Sequence, residues 1–262
     1  MLGLGNSLVL GGVPEWAPDN ISSLLHWYKN KTDVKLANPF TDVSQSIAYD
    51  DVVASWQDQK SGNLLTGHTT DEDAAPRYVE NSGAVIFDDA NDVLTFNSGL
   101  SLGTFSIYFR AKATVSSGNQ WSNTFLMETN GADFIKTQSK TQLKVKIDGT
   151  IHQFNFAEGA TPALVDDTIY TIGVERTDSS DTTNDVISVY TDLASSGEAG
   201  IGEASSGGTQ DISTAITLNR FGQPAGDTNE NITFYEILIF NKALSEGDRE
   251  LLFTYLNDKI PQ

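Results

Sequence analysis

Ile232-Thr233-Phe234-Tyr235-Glu236-Ile237-Leu238-Ile239-Phe240 carries apolar side chains on both of its alternating faces. Phe234, Leu238 and Phe240 fall on one face, and Tyr235, Ile237 and Ile239 on the other. A strand wetted on one side alternates apolar with polar residues, so this pattern predicts a strand covered on both sides. Asn241-Lys242-Ala243-Leu244 breaks the alternation. Ser245, with Asp248 three residues on, then has the form of a helix N-cap with its capping-box acid. Leu251, Leu252, Tyr255 and Leu256 share one helical stripe, and Pro261 closes the element. The expectation is a buried strand leading into a short helix, residues 246–258, that covers an otherwise open patch of sheet.

Working outward, the 262 residues can form one large all-β domain. Hydrophobic residues make up 39% and aromatics 10%, enough for a sizeable core. The formal charge is -19, from 16 basic and 35 acidic side chains. A surface so acidic repels phosphate backbones, which argues against nucleic acid as a partner. With no cysteine, neither a disulfide nor thiolate chemistry is available. No segment approaches the length of a membrane span. The first basic residue is Lys29, so the N-terminus lacks the form of a secretory signal peptide, and either synthesis in a cytoplasm or a mature form already trimmed is expected.

Residues 1–20 are Gly-rich, with Leu2, Leu4 and the short patch Leu8-Val9-Leu10 among their apolar residues. They read as an N-terminal arm, either an anchor to another surface or a first edge strand. Ile21–Tyr28 follows as a strand with Leu25 and Trp27 on one face. Residues 32–52 have weak periodicity and read as a loop excursion. From Ala84 the pattern is insistently β. Ala84–Phe87 and Val93–Phe96 flank an acidic turn, and Thr104–Ala113 alternates Phe105, Ile107 and Phe109 against Ser106, Tyr108 and Arg110. Thr124–Glu128 comes next. Asp148-Gly149 joins Leu143–Ile147 to Ile151–Phe156 as a hairpin. Ile169–Arg176 and Val186–Thr191 flank a polar tip, residues 194–210 form an exposed loop, and Ile216–Phe221 precedes the final strand. Many strands, polar turns and no βαβ rhythm predict an antiparallel two-sheet sandwich with a short C-terminal helix.

A succession of motifs resembles the concanavalin A-like (laminin-G-like) jelly rolls. Trp56-Gln57-Asp58-Gln59-Lys60-Ser61-Gly62-Asn63 is followed by Ala75-Pro76-Arg77-Tyr78 and by Val85-Ile86-Phe87-Asp88-Asp89-Ala90-Asn91-Asp92-Val93-Leu94. Thr104–Phe109 matches the strand that follows in that family, and Ile237–Ser245 with Tyr255-Leu256 matches its last strand and terminal helix. The resemblance implies an all-β jelly-roll domain over residues 21–262. One residue more than the family pattern separates Asp58 from Ser61, and Asp89 stands where Gly is usual. On the residues alone, Trp56 reads as a core anchor. Asp58, Ser61 and Asn63 can bond their own backbone to shape a turn.

The same fold houses glycoside hydrolases of the laminarinase type, which carry Glu-x-Asp-x-Glu on one strand, aiming paired acids into a cleft. That triplet is absent, and Asp71-Glu72-Asp73 is contiguous in a polar loop. His26, His68 and His152 are scattered, without metal-ligand spacing. The expectation is a protein that is not an enzyme. Asp88, Asp89 and Asp92 crowd one turn and could supply hard oxygen ligands to calcium, the one cofactor considered. A solvated acidic turn is the plainer alternative. Trp121 is the candidate for stacking on a glycan, and a loop aromatic folded back onto the sandwich is the alternative to it.

Met1-Leu2-Gly3-Leu4-Gly5-Asn6-Ser7-Leu8 followed by this jelly roll resembles virion proteins of marine tailed phages, including those of cyanobacteria. That resemblance implies a structural or interaction protein on the virion surface, as capsid decoration or a head or tail appendage. Its partners would be other virion subunits, with Leu2, Leu4, Leu8, Val9 and Leu10 as the anchor. A carbohydrate-binding adhesin recognising host or environmental glycans is the second expectation, and a glycanase the third. Fold analogy alone does not separate them.

Overall fold

The computed structural model describes residues 16–36, 52–67, 75–79, 81–87, 92–114, 124–155, 164–177, 186–192, 214–222 and 231–260. After a single 3-10 turn, Pro18–Asn20, come β1 (Leu24–Tyr28), β2 (Val34–Leu36), β3 (Val53–Gln57), β4 (Leu64–Gly67), β5 (Arg77–Val79) and β6 (Ala84–Phe87). The middle of the chain forms β7 (Val93–Leu102), β8 (Phe105–Thr114), β9 (Thr124–Met127), β10 (Phe134–Ser139), β11 (Gln142–Ile147) and β12 (Thr150–Asn155). The last elements are β13 (Tyr170–Thr177), β14 (Val186–Thr191), β15 (Ile216–Gly222), β16 (Asn231–Phe240) and the helix α1 (Glu246–Lys259). Every strand pairing is antiparallel. Among the described residues no helix is long and apolar enough to cross a membrane.

The strands form a two-sheet sandwich closed by one helix, as the patterning predicts. One sheet has seven strands in the order β14-β13-β8-β16-β6-β5, with β1 also paired to β16. The other has nine, β12-β11-β10-β9-β15-β7-β4-β3-β2. β16 sits at the centre of the first. β8 runs along one of its edges, and the other edge is shared by β6, at residues 232–234, and β1, at residues 237–240.

Both faces of β16 are covered, but not with the strict alternation expected. A β-bulge lies between Phe234 and Glu236, and an extra residue shifts the side-chain phase by one. Ile232 and Phe234, then Ile237 and Ile239, therefore face the core between the sheets. Leu238 and Phe240 face outward to the helix, and Tyr235 lies outward against Ile260. A bulge in β1 between Leu24 and His26 likewise separates Leu25, packed on the inter-sheet core, from Trp27 in the outer cluster.

α1 covers the outer face. Ser245 Oγ accepts from the Asp248 backbone N–H, as the N-cap predicts, and donates to the Asp248 carboxylate at 2.8 Å. Leu252, Tyr255 and Leu256 are buried against Ile21, Leu24, Trp27, Tyr108, Leu238 and Phe240. Burial of such a side chain is worth about 1.5–3 kcal/mol. Leu251, expected on this stripe, is instead 45% exposed. Two polar anchors fasten the helix. Arg249 bonds Glu175 of β13 through Nε at 3.3 Å and Nη2 at 3.0 Å, and its guanidinium lies 3.9 Å over the Tyr190 ring. At the other end the buried Arg110 of β8 donates to the Ile260 carbonyl through Nε at 3.0 Å and Nη2 at 2.6 Å. Those bonds satisfy a carbonyl at the helix C-terminus.

Tyr108, on the same outer face, donates to Glu175 and lies across Gly173, its cross-strand partner. A Cβ at Gly173 would stand 2.3 Å from the Tyr108 ring, so glycine is what lets the ring lie flat there. The Asp148-Gly149 hairpin forms as expected between β11 and β12, with both residues at positive φ. Ala84–Phe87 and Val93–Phe96 both form strands, but they do not pair with each other. β6 joins the seven-stranded sheet and β7 the nine-stranded one. β2 lies within the segment expected to be a loop, and β10 forms where no strand was expected.

Candidate functional site

The outer face beside the C-terminal end of α1 holds a cleft of about 330 Å³. Trp27 of β1 and Tyr255 of α1 form its floor, with ring centroids 6.2 Å apart in an edge-on arrangement. Trp16 closes one side, edge-on to Tyr255 at 6.0 Å. Lys29, Asn30 and Lys259 line the rest, with Glu236 at the base. Trp27 Nε1 donates to Glu236 Oε1 at 2.6 Å, joining β1 to β16 across 209 residues of sequence. Lys29 Nζ lies 4.7 Å over the Trp27 ring, a cation–π contact.

Glu236 is buried, 1% exposed. Burial pushes its carboxyl above the ordinary range, opposed by hydrogen bonds from Trp27, Tyr255 and the Asn30 backbone and by the Lys29 charge. The acid is thus a fixed acceptor that orients an indole and a phenol. The bulge next to it is what turns this carboxyl outward beneath the helix. The result is a small concave site lined by aromatic residues and a few placed polar groups, at the low end of the ~300–1,000 Å³ range of small-molecule sites.

A second polar cluster lies at Asp58. Its Oδ1 accepts from the Trp27 N–H at 2.7 Å and the Lys60 N–H at 2.8 Å. Its Oδ2 accepts from the Ser61 N–H at 3.0 Å and lies 2.8 Å from His26 Nδ1. Burial alone would raise the Asp58 carboxyl, but the bonds from His26, Ser61, Trp27 and Lys60 outweigh it and hold the group down to about 2. Ser61 Oγ bonds Asp58 and also lies 3.0 Å from His26 Nδ1. Serine and aspartate thus meet the same ring nitrogen. A proton relay needs them on opposite nitrogens, so this cluster shapes a turn, as the residues imply, and is no nucleophile triad. Asn63 N bonds Ser61 Oγ at 3.3 Å within the same turn. Trp56 is fully buried and donates to the Lys29 carbonyl at 3.2 Å, a core anchor as expected.

Trp121, Asp88, Asp89 and the leader residues Leu2, Leu4, Leu8, Val9 and Leu10 lie outside the described residues. Asp92 is buried at 1% exposure. Among the described residues no group of three or more His, Cys, Asp or Glu is placed to hold a metal ion. The cleft itself escaped sequence reasoning. Its members come from three distant segments, and the clue was the two-sided apolar pattern around Glu236.

A scan against protein-family models and a search of the curated proteins return no match. Solved structures do resemble the chain. The botulinum neurotoxin serotype D binding domain superposes with a TM-score of 0.58 at 11% identity, over 89% of this chain and 52% of its own. Botulinum neurotoxin type C, whose cell entry depends on interaction with two ganglioside molecules, gives 0.56 at 14% identity, over 92% and 53%. Trypanosoma rangeli sialidase gives 0.55 at 11% identity, over 91% and 33%. The chain thus spans about half the length of the toxin chains and about a third of the sialidase. At these identities the likeness is one of fold: the chain shares a two-sheet antiparallel β-sandwich with parts of these proteins.

Proposed function

We propose that this protein is a non-enzymatic recognition protein that binds carbohydrate in the Trp16–Trp27–Tyr255 cleft. The observation that carries this reading is the cleft itself, where aromatic rings meet Lys29, Asn30, Lys259 and Glu236 in one small concavity. Aromatic faces cover the apolar C–H surfaces of a sugar, while fixed donors and acceptors select its hydroxyl pattern. The ganglioside interaction of the type C toxin accords with this use of the fold. Most glycoside hydrolases use two carboxyl groups about 5–9.5 Å apart, and the described cleft lining holds one, Glu236.

The site of display in this reading is the surface of a phage virion. Supporting it are the resemblance of residues 1–8 with the jelly roll to phage virion proteins and an acidity that keeps neighbouring copies apart. Residues 1–20 would hold the sandwich on a neighbouring subunit. A glycan array probed with the full chain and with Trp16→Ala tests the reading. The expected result is binding to a defined saccharide set, weakened about tenfold or more by the substitution, with the bound saccharide recovered intact. Binding to no saccharide, or release of cleaved product, would overturn it. Immunogold labelling of native particles tests the display.

A further inference from the structure

The three aromatic rings of the cleft are not equivalent. Trp27 and Tyr255 are buried, 7% and 8% exposed, and the Lys29 ammonium already lies over the Trp27 ring at 4.7 Å. Trp16 alone of the three is partly exposed. The turn that follows holds it in place, with the Ala17 N–H donating to Asn20 Oδ1 at 2.9 Å and the Asn20 N–H to the Ala17 carbonyl at 3.0 Å. Trp16 meets Tyr255 at 65° and Tyr255 meets Trp27 at 74°, so the rings form corners and no continuous flat platform. A platform for an extended chain needs rings that face the same way along its length. One accessible ring in a cleft of about 330 Å³ offers a stacking place to a single sugar unit.

Asn30 lines the same cleft, and its side chain is fixed from outside it. Its Nδ2 donates to the Ser82 carbonyl at 3.1 Å and to the Gly83 carbonyl at 2.9 Å. Facing a pair of carbonyl acceptors, only the amide nitrogen fits there, so the geometry itself sets which way the amide is turned. Both amide protons are used, and no described residue donates to Oδ1. The seat is tight: a Cβ at Gly83, whose φ is +71°, would stand 2.1 Å from Lys31 Cγ and 2.9 Å from Asn30 Nδ2. The backbone around Asn30 is held as firmly. The Lys29 carbonyl accepts from Trp56 Nε1 and from the Thr32 N–H, each at 3.2 Å, and Lys31 and Asp33 take left-handed φ values of 57° and 51°. Non-glycine residues persist in that region only where the surroundings over-determine them. Asn30 Oδ1 is thus an acceptor set in place before a ligand arrives, and such pre-setting lowers the cost of binding.

We propose that the cleft recognises one terminal sugar unit of a glycan, with Trp16 against its apolar C–H face and Asn30 Oδ1 accepting from one of its hydroxyl groups. Asn30 is then the specificity-determining residue. The inference rests on the carbohydrate reading of the cleft and adds the class of ligand to it, a chain end and not a chain interior. A sugar that lacks that hydroxyl, or turns it away, leaves the fixed acceptor without its partner and is selected against.

The test measures binding of the full chain to methyl glycosides of the common hexoses, deoxyhexoses, N-acetylhexosamines and hexuronic acids, and to linear oligosaccharides ending in each. At least one methyl glycoside binds, and its oligosaccharides gain less than about threefold per chain. One monodeoxy derivative of that sugar binds the native chain about tenfold or more weaker. Asn30→Ala loses as much with the parent sugar, and in that variant the same deoxy change costs nothing further. If Asn30→Ala does not fold, the Asn30 side-chain amide signal of the native chain is followed by NMR instead, and it shifts to saturation with the parent sugar. Oligosaccharides that gain about tenfold or more with length while every methyl glycoside fails would overturn the inference and leave carbohydrate binding standing. So would deoxy and Asn30→Ala losses that simply add, or an Asn30 amide signal unmoved at saturation. Binding of no saccharide at all would remove the carbohydrate reading and this inference with it.

Discussion

Replacing Arg110 with Met would test how the terminal helix is held to the sandwich. The guanidinium is fully buried and donates to four acceptor contacts: Ile260 O twice, Thr171 Oγ1 at 3.1 Å and Asp192 Oδ2 at 2.6 Å. Methionine keeps the apolar stem but leaves the Ile260 carbonyl and the Asp192 carboxylate short of a donor. Asp192 is itself largely buried, and burial pushes its carboxyl above the ordinary range against the opposing effect of Arg110. Breaking a buried ion pair by removing one partner costs about 3–5 kcal/mol. That is a large part of the 5–15 kcal/mol that holds a typical domain folded. Urea unfolding should therefore show a lower midpoint at an unchanged slope. The double variant Arg110→Met/Asp192→Leu should recover part of the loss, because the stranded acid is gone. A loss below about 1 kcal/mol, or a double variant worse than the sum of the two single changes, would refute the clamp.

Other consequences can be checked with the same unfolding assay. Leu252→Ala should cost about 2–5 kcal/mol, because Leu252 is fully buried under the helix, whereas Leu251→Ala should stay within about 0.5 kcal/mol. Asp58 is held at about 2, below its ordinary 3.8, so its contribution is complete above pH 4 and is lost as pH falls toward 2. That contribution is about 2 kcal/mol, and Asp58→Asn should flatten this part of the stability–pH curve; an unchanged curve would remove Asp58 from the account.

Much of the fold is legible in the residues because its signals are local. Asp148-Gly149 needs only the positive φ of a tight hairpin, and Ser245 with Asp248 needs only one helical turn. The two-sided apolar run of β16 announces that something covers each face. What escapes is set by distant parts of the chain. The phase change at Phe234–Glu236 depends on β8 alongside, and nothing in residues 232–240 marks it. Ala84–Phe87 and Val93–Phe96 look the same whether they pair or part to different sheets. Leu251 meets the helical periodicity as well as Leu252 does, and the packing of the helix on β1, β8 and β16 decides between them. The cleft was least legible, since Trp16, Trp27, Glu236 and Tyr255 become neighbours only once β1, β16 and α1 have packed.

The central claim, that carbohydrate enters the aromatic cleft, is tested most directly by following the four tryptophan indole N–H signals in an NMR titration with the saccharide selected on the array. The Trp16 and Trp27 signals should move together to saturation, with Trp56, fully buried in the core, as the reference that holds still. Saturation with Trp16 and Trp27 unmoved, or with Trp121 moving in their place, would contradict the assignment of the site.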